Sequence, residues 1–273
     1  MDDYELAEGV QSFLKSAGAS TVGFADLRGL PADVRNDFPY GISIAVALEP
    51  EIIRKIIDGP DLDYFMEYRR ANKLLNSLGE KASGFLEARG YKTKSFSATN
   101  TGIDRDTLST QLPHKTVATR AGLGWIGKCA LLITPEYGSA VRITSVLTDA
   151  ELPAENPKND SDCGDCRACV DICPGNAVTG VDWEAGMSRD LLYDPFKCRE
   201  VAQRWQRERE GITDNICGMC IAACPWTQKY LDKASNLHSV LSIKCTHQAI
   251  PEDTAHGSTG SSRADKNNQY HSS

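Results

Sequence analysis

Two cysteine motifs carry the most evident chemistry in this chain. Residues 163–174 read CGDCRACVDICP, which is the spacing C-x2-C-x2-C-x3-C-P. In bacterial two-cluster ferredoxins, three closely spaced thiolates of this run bind one 4Fe–4S cluster and the fourth binds the other cluster. The motif therefore predicts a pair of 4Fe–4S clusters, with structural zinc as the alternative.

The second motif, residues 217–225, reads CGMCIAACP and lacks the first cysteine of the pattern, where Asp214 stands instead. Cys198 is the nearest cysteine upstream, and we expect it to be the replacement ligand. The alternative is a buried free thiol, with Asp214 or water completing the site. The predicted ligands of the first cluster are Cys163, Cys166, Cys169 and Cys224. Those of the second cluster are Cys173, Cys198, Cys217 and Cys220.

The remaining two of the ten cysteines are Cys129, at the start of an apolar segment, and Cys245, near the end of the chain. Eight ligands complete two clusters, so we expect both of these residues to be inert thiols. Because the cysteines cluster late in a long chain, they indicate metal in a reducing compartment rather than a disulfide framework. We expect no disulfide partner.

Charge and hydropathy narrow the function classes. The 273 residues contain 30 basic and 37 acidic side chains, for a net charge of −7, which does not favour a general polyanion binder. Apolar runs fall far short of the roughly 20 residues that a membrane helix needs. The N-terminal MDDYELAEG is acidic, unlike a signal peptide. These features predict a cytoplasmic protein without a membrane partner.

The elements before the cysteines are predicted to form a mixed layer domain. Apolar residues at helical spacing predict helices over 2–17 and 61–89. Strands are predicted over 20–26, 41–48, 92–98, 129–134 and 140–148. We therefore expect an α/β (α+β) cofactor domain over 1–152, a two-cluster module over 153–234, and a polar, disordered tail over 235–273.

Residues 122–127, GLGWIG, formally match the dinucleotide fingerprint G-x-G-x-x-G. That fingerprint follows a strand and opens a helix. Here a helical pattern precedes the glycines and a strand pattern follows them. The segment instead predicts a turn in which the backbone closely approaches a planar ligand or another strand.

These motifs together resemble epoxyqueuosine reductases, a family related in its core to cobalamin-dependent reductive dehalogenases. The matching residues are RAGLGWIGK at 120–128, LLI at 131–133, TD at 148–149, the two cysteine motifs, CPW at 224–226, and DY at 63–64. The resemblance implies a nitroreductase-like domain that holds base-off cobalamin, followed by a ferredoxin-like double 4Fe–4S module. It also implies an oxidoreductase of queuosine biosynthesis.

In the implied reaction, an external low-potential donor reduces the clusters, electrons pass to cobalt, and the reduced cobalt attacks an epoxide on a modified tRNA. The cofactor-binding residues expected around the glycine turn and the long helix are Tyr64, His114, Lys115, Arg120, Gly122, Gly124, Trp125, Gly127 and Lys128. The family's acidic proton-donor stretch has no aligned aspartate in residues 97–116. Asp104, Asp106 and His114 are therefore the candidate catalytic acids.

Two other functions remain open at this point. One is an electron-transfer or activating protein that delivers electrons to a partner such as a corrinoid protein. The other is a flavin-dependent iron–sulfur reductase, because nitroreductase-like cores often hold flavin. The substrate is also open, either a small molecule or a modified tRNA.

Overall fold

The computed structural model describes residues 2–99 and 102–246, with side chains as far as Asn236. The chain divides into a large compact unit, Met1–Ser235, and a small one, Asn236–Ser273. The predicted boundary near residue 152 falls inside the large unit. None of the helices in the described ranges is both long and apolar enough to cross a lipid bilayer.

A four-stranded antiparallel sheet forms the centre of the large unit. Its strands, in the order β1-β2-β6-β3, are Thr21–Asp26, Tyr40–Ala47, Val141–Thr148 and Thr93–Ser95. The register pairs Ile42 of β2 with Phe24 on one side and with Val146 on the other. An antiparallel sheet with packed helices is the α+β form of the predicted mixed fold.

Helices cover both faces of this sheet, which explains why β2 is buried along almost its whole length. The helices of the first half are α1 (Asp3–Ser16), α2 (Pro50–Lys55), α3 (Leu62–Glu87) and α4 (His114–Arg120). Ile42 and Ile44 join the core formed with α1 and α3. On the opposite face, a Cβ at Gly41 would contact Val117 of α4 at 3.0 Å, so this position accommodates only a small residue.

The predicted long helices agree with the structure because their ends carry strong local signals. Asp2 and Glu5 form a reciprocal capping box at the start of α1. The Asp61 carboxylate accepts from the Tyr64 N–H and begins α3. Further α-helices in the second half, as far as it is described, are α5 (Ala168–Asp171), α6 (Pro195–Glu208), α7 (Met219–Ala223) and α8 (Pro225–Thr246).

The glycine-rich turn brings two backbones together, one of the two arrangements expected for it. It leads from α4 into β4 (Trp125–Ile126), which pairs with β5 (Leu132–Ile133) in a separate two-stranded sheet. A Cβ at Gly124 would overlap the carbonyl oxygen of Ile133. Only glycine permits this approach.

Three predicted elements need correction. The strand predicted over 92–98 is confined to 93–95, the residues that pair with β6. The strand predicted over 129–134 is confined to 132–133, because Ala130 adopts a left-handed conformation at φ 58° and its N–H closes a turn to the Gly127 carbonyl. The tail predicted over 235–273 overlaps a helix, because α8 continues to Thr246 through a segment without glycine or proline. Residues 247–273 lie outside the described part of the chain.

We expect the Gly124→Ala variant to lose at least about 2 kcal/mol of unfolding free energy, because the new methyl group would meet the Ile133 carbonyl. Gly84→Ala is the matched control. Gly84 lies on the exposed side of α3 with no atom within 4 Å of its ideal Cβ, so this change should stabilise the protein by about 0.5–1 kcal/mol. Denaturant unfolding of both variants tests the difference. Equal stabilities would contradict the close-approach explanation.

Candidate metal centres and adjoining cavities

Four cysteines from distant parts of the sequence surround a first cavity of about 70 Å³. Three come from the loop and short helix over 163–169, and the fourth, Cys224, ends α7 directly before Pro225. The wall is completed by Lys128, whose ammonium group donates to the Gly164 carbonyl. The predicted ligands that line this cavity are Cys163, Cys166, Cys169 and Cys224, and Cys129 lines it as well.

The other four predicted cluster ligands line a second cavity of about 240 Å³. Asp194 caps α6 by accepting from the N–H groups of Phe196 and Lys197, which sets the helix that carries Cys198. Gly218, at φ 87°, turns the chain between the last two ligands. The predicted ligands that line this cavity are Cys173, Cys198, Cys217 and Cys220, and Cys129 lines it as well.

The structure places the four cysteines expected to ligate each cluster around one cavity, with Cys129 in the wall of both cavities. Among the described residues, no group of three or more His, Cys, Asp or Glu side chains is arranged to hold a single metal ion. Thiols spaced around a cavity suit a polynuclear cluster better than the compact tetrahedral site of structural zinc. Burial raises the pKa of Cys198 to about 11, so this thiol must release a proton when it binds a metal cluster.

Beside each quartet lies a tryptophan whose buried N–H makes no complete hydrogen bond. Trp125 is 1% exposed, packs with Cys163 and Cys224, and its Nε1 has no hydrogen-bond partner. Trp205 Nε1 is also buried without a partner of full hydrogen-bond geometry, although its indole lies close enough to Cys217 to favour that thiolate. A buried N–H without an acceptor is costly. Both donors fit a cluster whose sulfur atoms supply the acceptors.

A third and larger cavity, of about 1080 Å³, is lined by α3 together with residues 99, 103, 214 and 215. Tyr68 and Asn215 line both this cavity and that of the second quartet, so the two spaces share a wall. Buried Glu67 forms an ion pair with Arg70 at 2.6 Å. Asn72 and Lys73 lie on the same stretch of helix and line the cavity.

The sequence motifs do not predict the large cavity, although the composition of α3 contains a signal for it. Residues 68–76 of the long helix, YRRANKLLN, contain three cations and two asparagines but no carboxylate. That composition on one stretch of an amphipathic helix indicates a polar site. Asp214, considered only as a substitute ligand, lines the same cavity.

A fourth cavity, of about 350 Å³, has four cations in its wall and no carboxylate among the described residues that line it. Its cations are Lys115, Arg120, Lys158 and Arg189. Arg189 is held by the carbonyls of Thr107 and Leu108, each at 2.7 Å. Burial lowers the pKa of Lys115 to about 8, and its ammonium group donates to the Ala130 carbonyl.

The residues predicted to bind the cofactor do not converge on one cavity. Tyr64 lines the cavity of the second quartet, whereas Lys128 lines that of the first. Lys115 and Arg120 line the cationic cavity instead. The remaining residues form or flank the glycine turn: Gly122, Gly124, Trp125 and Gly127, with His114 at the start of α4.

Asp104 and Asp106, the two acidic candidates, lie on an exposed loop. The Asp104 carboxylate accepts from the backbone N–H groups of Thr107 and Asp106, which lowers its pKa. A low pKa opposes a role as general acid near neutral pH. Neither aspartate lines any of the four cavities described above.

His114 is largely shielded from solvent, with both ring nitrogens engaged. Nε2 lies 3.0 Å from the Ser97 carbonyl oxygen, and Nδ1 lies 3.1 Å from Ser145 Oγ. Because a carbonyl only accepts, Nε2 carries the proton and the Ser145 hydroxyl donates to Nδ1. Burial lowers the pKa of His114, so the ring is neutral at pH 7. This geometry gives His114 a structural role rather than that of a proton donor.

Known iron–sulfur proteins match parts of this sequence. A family model described as a 4Fe-4S double cluster binding domain matches residues 162–227. The epoxyqueuosine reductase of Synechocystis sp. is 26% identical over 190 residues, which cover 62% of this chain and 61% of that protein. The epoxyqueuosine reductase of Bacillus anthracis is 43% identical over 117 residues, 42% of this chain and 30% of that protein. The chain therefore spans less than two thirds of the length of these two relatives.

Two solved structures share the fold over 83% of this chain. The catabolic reductive dehalogenase NpRdhA has a TM-score of 0.61 at 19% identity, with 32% of its chain covered. An epoxyqueuosine reductase with an epoxyqueuosine-modified tRNA stem loop has a TM-score of 0.56 at 20% identity, with 66% covered. The predicted resemblance to both groups of enzymes is confirmed.

The lowered pKa of His114 predicts acid sensitivity of the fold. The unfolded chain binds a proton at this histidine near pH 6.5, whereas the folded chain does not, so stability falls as pH drops through this region. His114→Gln removes this titration and keeps an N–H donor for the Ser97 carbonyl. We expect the variant to lose less stability than the wild type between pH 7.5 and 5, by at most about 1.4 kcal/mol per pH unit. Urea unfolding at several pH values measures this, and parallel curves would contradict it.

Proposed function

We propose that this protein is an iron–sulfur oxidoreductase of the epoxyqueuosine reductase type, which passes electrons through two 4Fe–4S clusters to a cobalamin that reduces a substrate. The observation that carries the proposal is the arrangement of the cavities. Two separate cysteine quartets line neighbouring cavities, and the second shares a wall with the cavity of about 1080 Å³.

The two quartets are the proposed cluster ligands, with Cys198 in place of the missing motif cysteine. The unpaired Trp125 and Trp205 N–H groups would donate to cluster sulfurs or ligand thiolates. Such hydrogen bonds, together with burial, set the reduction potential of a cluster. Lys128 keeps the Cys163–Cys166 loop in place through its bond to the Gly164 carbonyl and adds positive charge beside the first cluster.

The large cavity is the proposed cobalamin site, in place of the region around the glycine turn. Cobalamin carries amide side chains and a phosphate, which suit the asparagines and cations of α3. Asn72 and Asn76 can pair with amides, and Arg69 and Lys73 can pair with the phosphate. If both groups are bound, the clusters would supply single electrons, and cobalamin would supply a reduced metal centre able to attack an electrophilic carbon.

Arg142 fixes the wall between the cavity of the second quartet and the large cavity through stacking and a hydrogen bond. The Arg142 guanidinium stacks 4.4 Å over the Tyr68 ring and donates to Asn72 Oδ1 at 2.9 Å. Tyr68 and Asn72 are thereby oriented toward the cavity that they line. Asp214 is the carboxyl group that lines it, and we propose Asp214 as the proton donor instead of Asp104, Asp106 or His114.

An epoxide on a modified tRNA nucleoside is the first substrate to test, because one structural relative was solved with such a stem loop. An external low-potential donor must supply the electrons.

The second candidate function is electron delivery to a partner protein. It is favoured by the absence of the three predicted acids from the four cavities. The relatives offer no support for flavin, and it is not proposed.

Iron content tests the ligand assignment. After anaerobic reconstitution, we expect about eight iron and eight sulfide per chain in the wild type. Cys198→Ala should reduce both to about four, because the second quartet loses one ligand. Asp214→Ala is the matched control and should retain the full content. A loss of iron in the aspartate variant, with none in the cysteine variant, would show that Asp214 is the ligand.

Cobalamin binding tests the large cavity. Titration of the reconstituted protein with cob(II)alamin, followed by EPR, should give a base-off signal at about one equivalent. Lys73→Glu should weaken binding at least about tenfold, because it places a negative charge in the cavity wall. Lys81→Glu, an equal charge change at an exposed position of α3 outside the cavity, should leave the affinity within about twofold. No binding by a protein with two intact clusters would favour the electron-delivery function.

A further inference from the structure

Cys129 lies between the two cysteine quartets. Among the described residues, it is the side chain that lines both cavities. It is 7% exposed, and it shares a cavity wall with Cys169 of the first quartet and another with Cys220 of the second. The sequence predicts an inert thiol at this position, and the structure places it at the junction of two metal sites.

The backbone on both sides of Cys129 is fixed. Lys128, before it, is anchored to the Gly164 carbonyl. Ala130, after it, is left-handed, donates its N–H to the Gly127 carbonyl at 2.8 Å, and accepts from the Lys115 ammonium group. The thiol therefore occupies its position through the glycine turn and two anchored lysines rather than through chance packing.

We propose that Cys129 is a thiol that lies between the two clusters and connects them without ligating either. Its S–H group donates a hydrogen bond to a ligand sulfur, and its sulfur fills the space between Cys169 and Cys220, which shortens the path for electrons between the clusters. Cys129 is neither oxidised nor reduced in this role. The inference rests on the proposed function, since it needs both clusters to be present.

The number of cluster ligands leaves no place for Cys129 as a ligand. Each quartet already provides the four thiolates of a 4Fe–4S cluster without it. A thiol has a single proton, so it donates to one ligand sulfur at a time. The donated bond stabilises the reduced, more negative form of one cluster and raises its potential above that of the other.

The experiment compares the reconstituted wild type with Cys129→Ala, Cys129→Ser and Val201→Ala. Val201 lines the second cavity alone and has no donor, so its truncation is a control for packing. Iron and sulfide content are measured first. An EPR-monitored redox titration then gives the two midpoint potentials, and the spectrum of the fully reduced protein reports magnetic coupling between the clusters.

We expect all four proteins to retain about eight iron. Cys129→Ala should shift the reduction equilibrium of one cluster at least tenfold toward the oxidised form, which corresponds to about 59 mV for one electron. Cys129→Ser keeps a hydroxyl donor and should remain within about threefold of the wild type. Val201→Ala should leave both potentials unchanged.

Three outcomes would overturn the proposal. Loss of about four iron in Cys129→Ala would make this residue a ligand. Equal shifts in the alanine and serine variants, or an equal shift in Val201→Ala, would show an effect of packing alone. A wild type with fewer than about eight iron would overturn the proposed function and this inference with it, and the iron count separates that failure from the other two.

Discussion

The contact between the Gly124 backbone and the Ile133 carbonyl is the constraint on which the site depends. It brings β4 against β5 and fixes the tight turn between them. Trp125, on one side of this turn, packs on Cys163 and Cys224. Lys128 and Cys129, at its tip, reach the walls of the cysteine cavities. A side chain at residue 124 would separate the strands and withdraw all three groups from the metal-binding half of the unit.

Charge is distributed very unevenly in this acidic protein. The net charge of −7 describes the chain as a whole, yet two cavities each have at least three cations and at most one carboxylate among the described residues that line them. The total argues against a protein that coats nucleic acid along its length. It says little about binding in a recess, where a few fixed cations act at short range. An anionic cofactor or substrate is therefore compatible with the acidic surface.

The sequence was sufficient for features with local signals. Capping residues and apolar spacing predict α1 and α3 to within one or two residues, and the four cysteines expected to ligate each cluster line one cavity together. It failed where a long-range contact decides the conformation. Nothing in the sequence around Ala130 marks its left-handed backbone, which ends the predicted strand. The residues expected to bind the cofactor lie around the glycine turn and on the long helix, and the structure distributes them among separate cavities. His114 has the chemistry of a proton donor, but both of its ring nitrogens are engaged in hydrogen bonds.

The cysteine-rich segment and the sheet domain belong to one compact unit, Met1–Ser235, despite the change in composition near residue 152. Cys224 ends α7 and is followed at once by α8, while Trp205 packs on Gly59 of the first half. Metal occupancy is then thermodynamically linked to the folding of the whole unit. Damage to either centre by oxygen should lower the melting temperature of the sheet domain as well. Such damage would favour degradation of the whole chain, because no folded apoprotein would remain to bind new clusters.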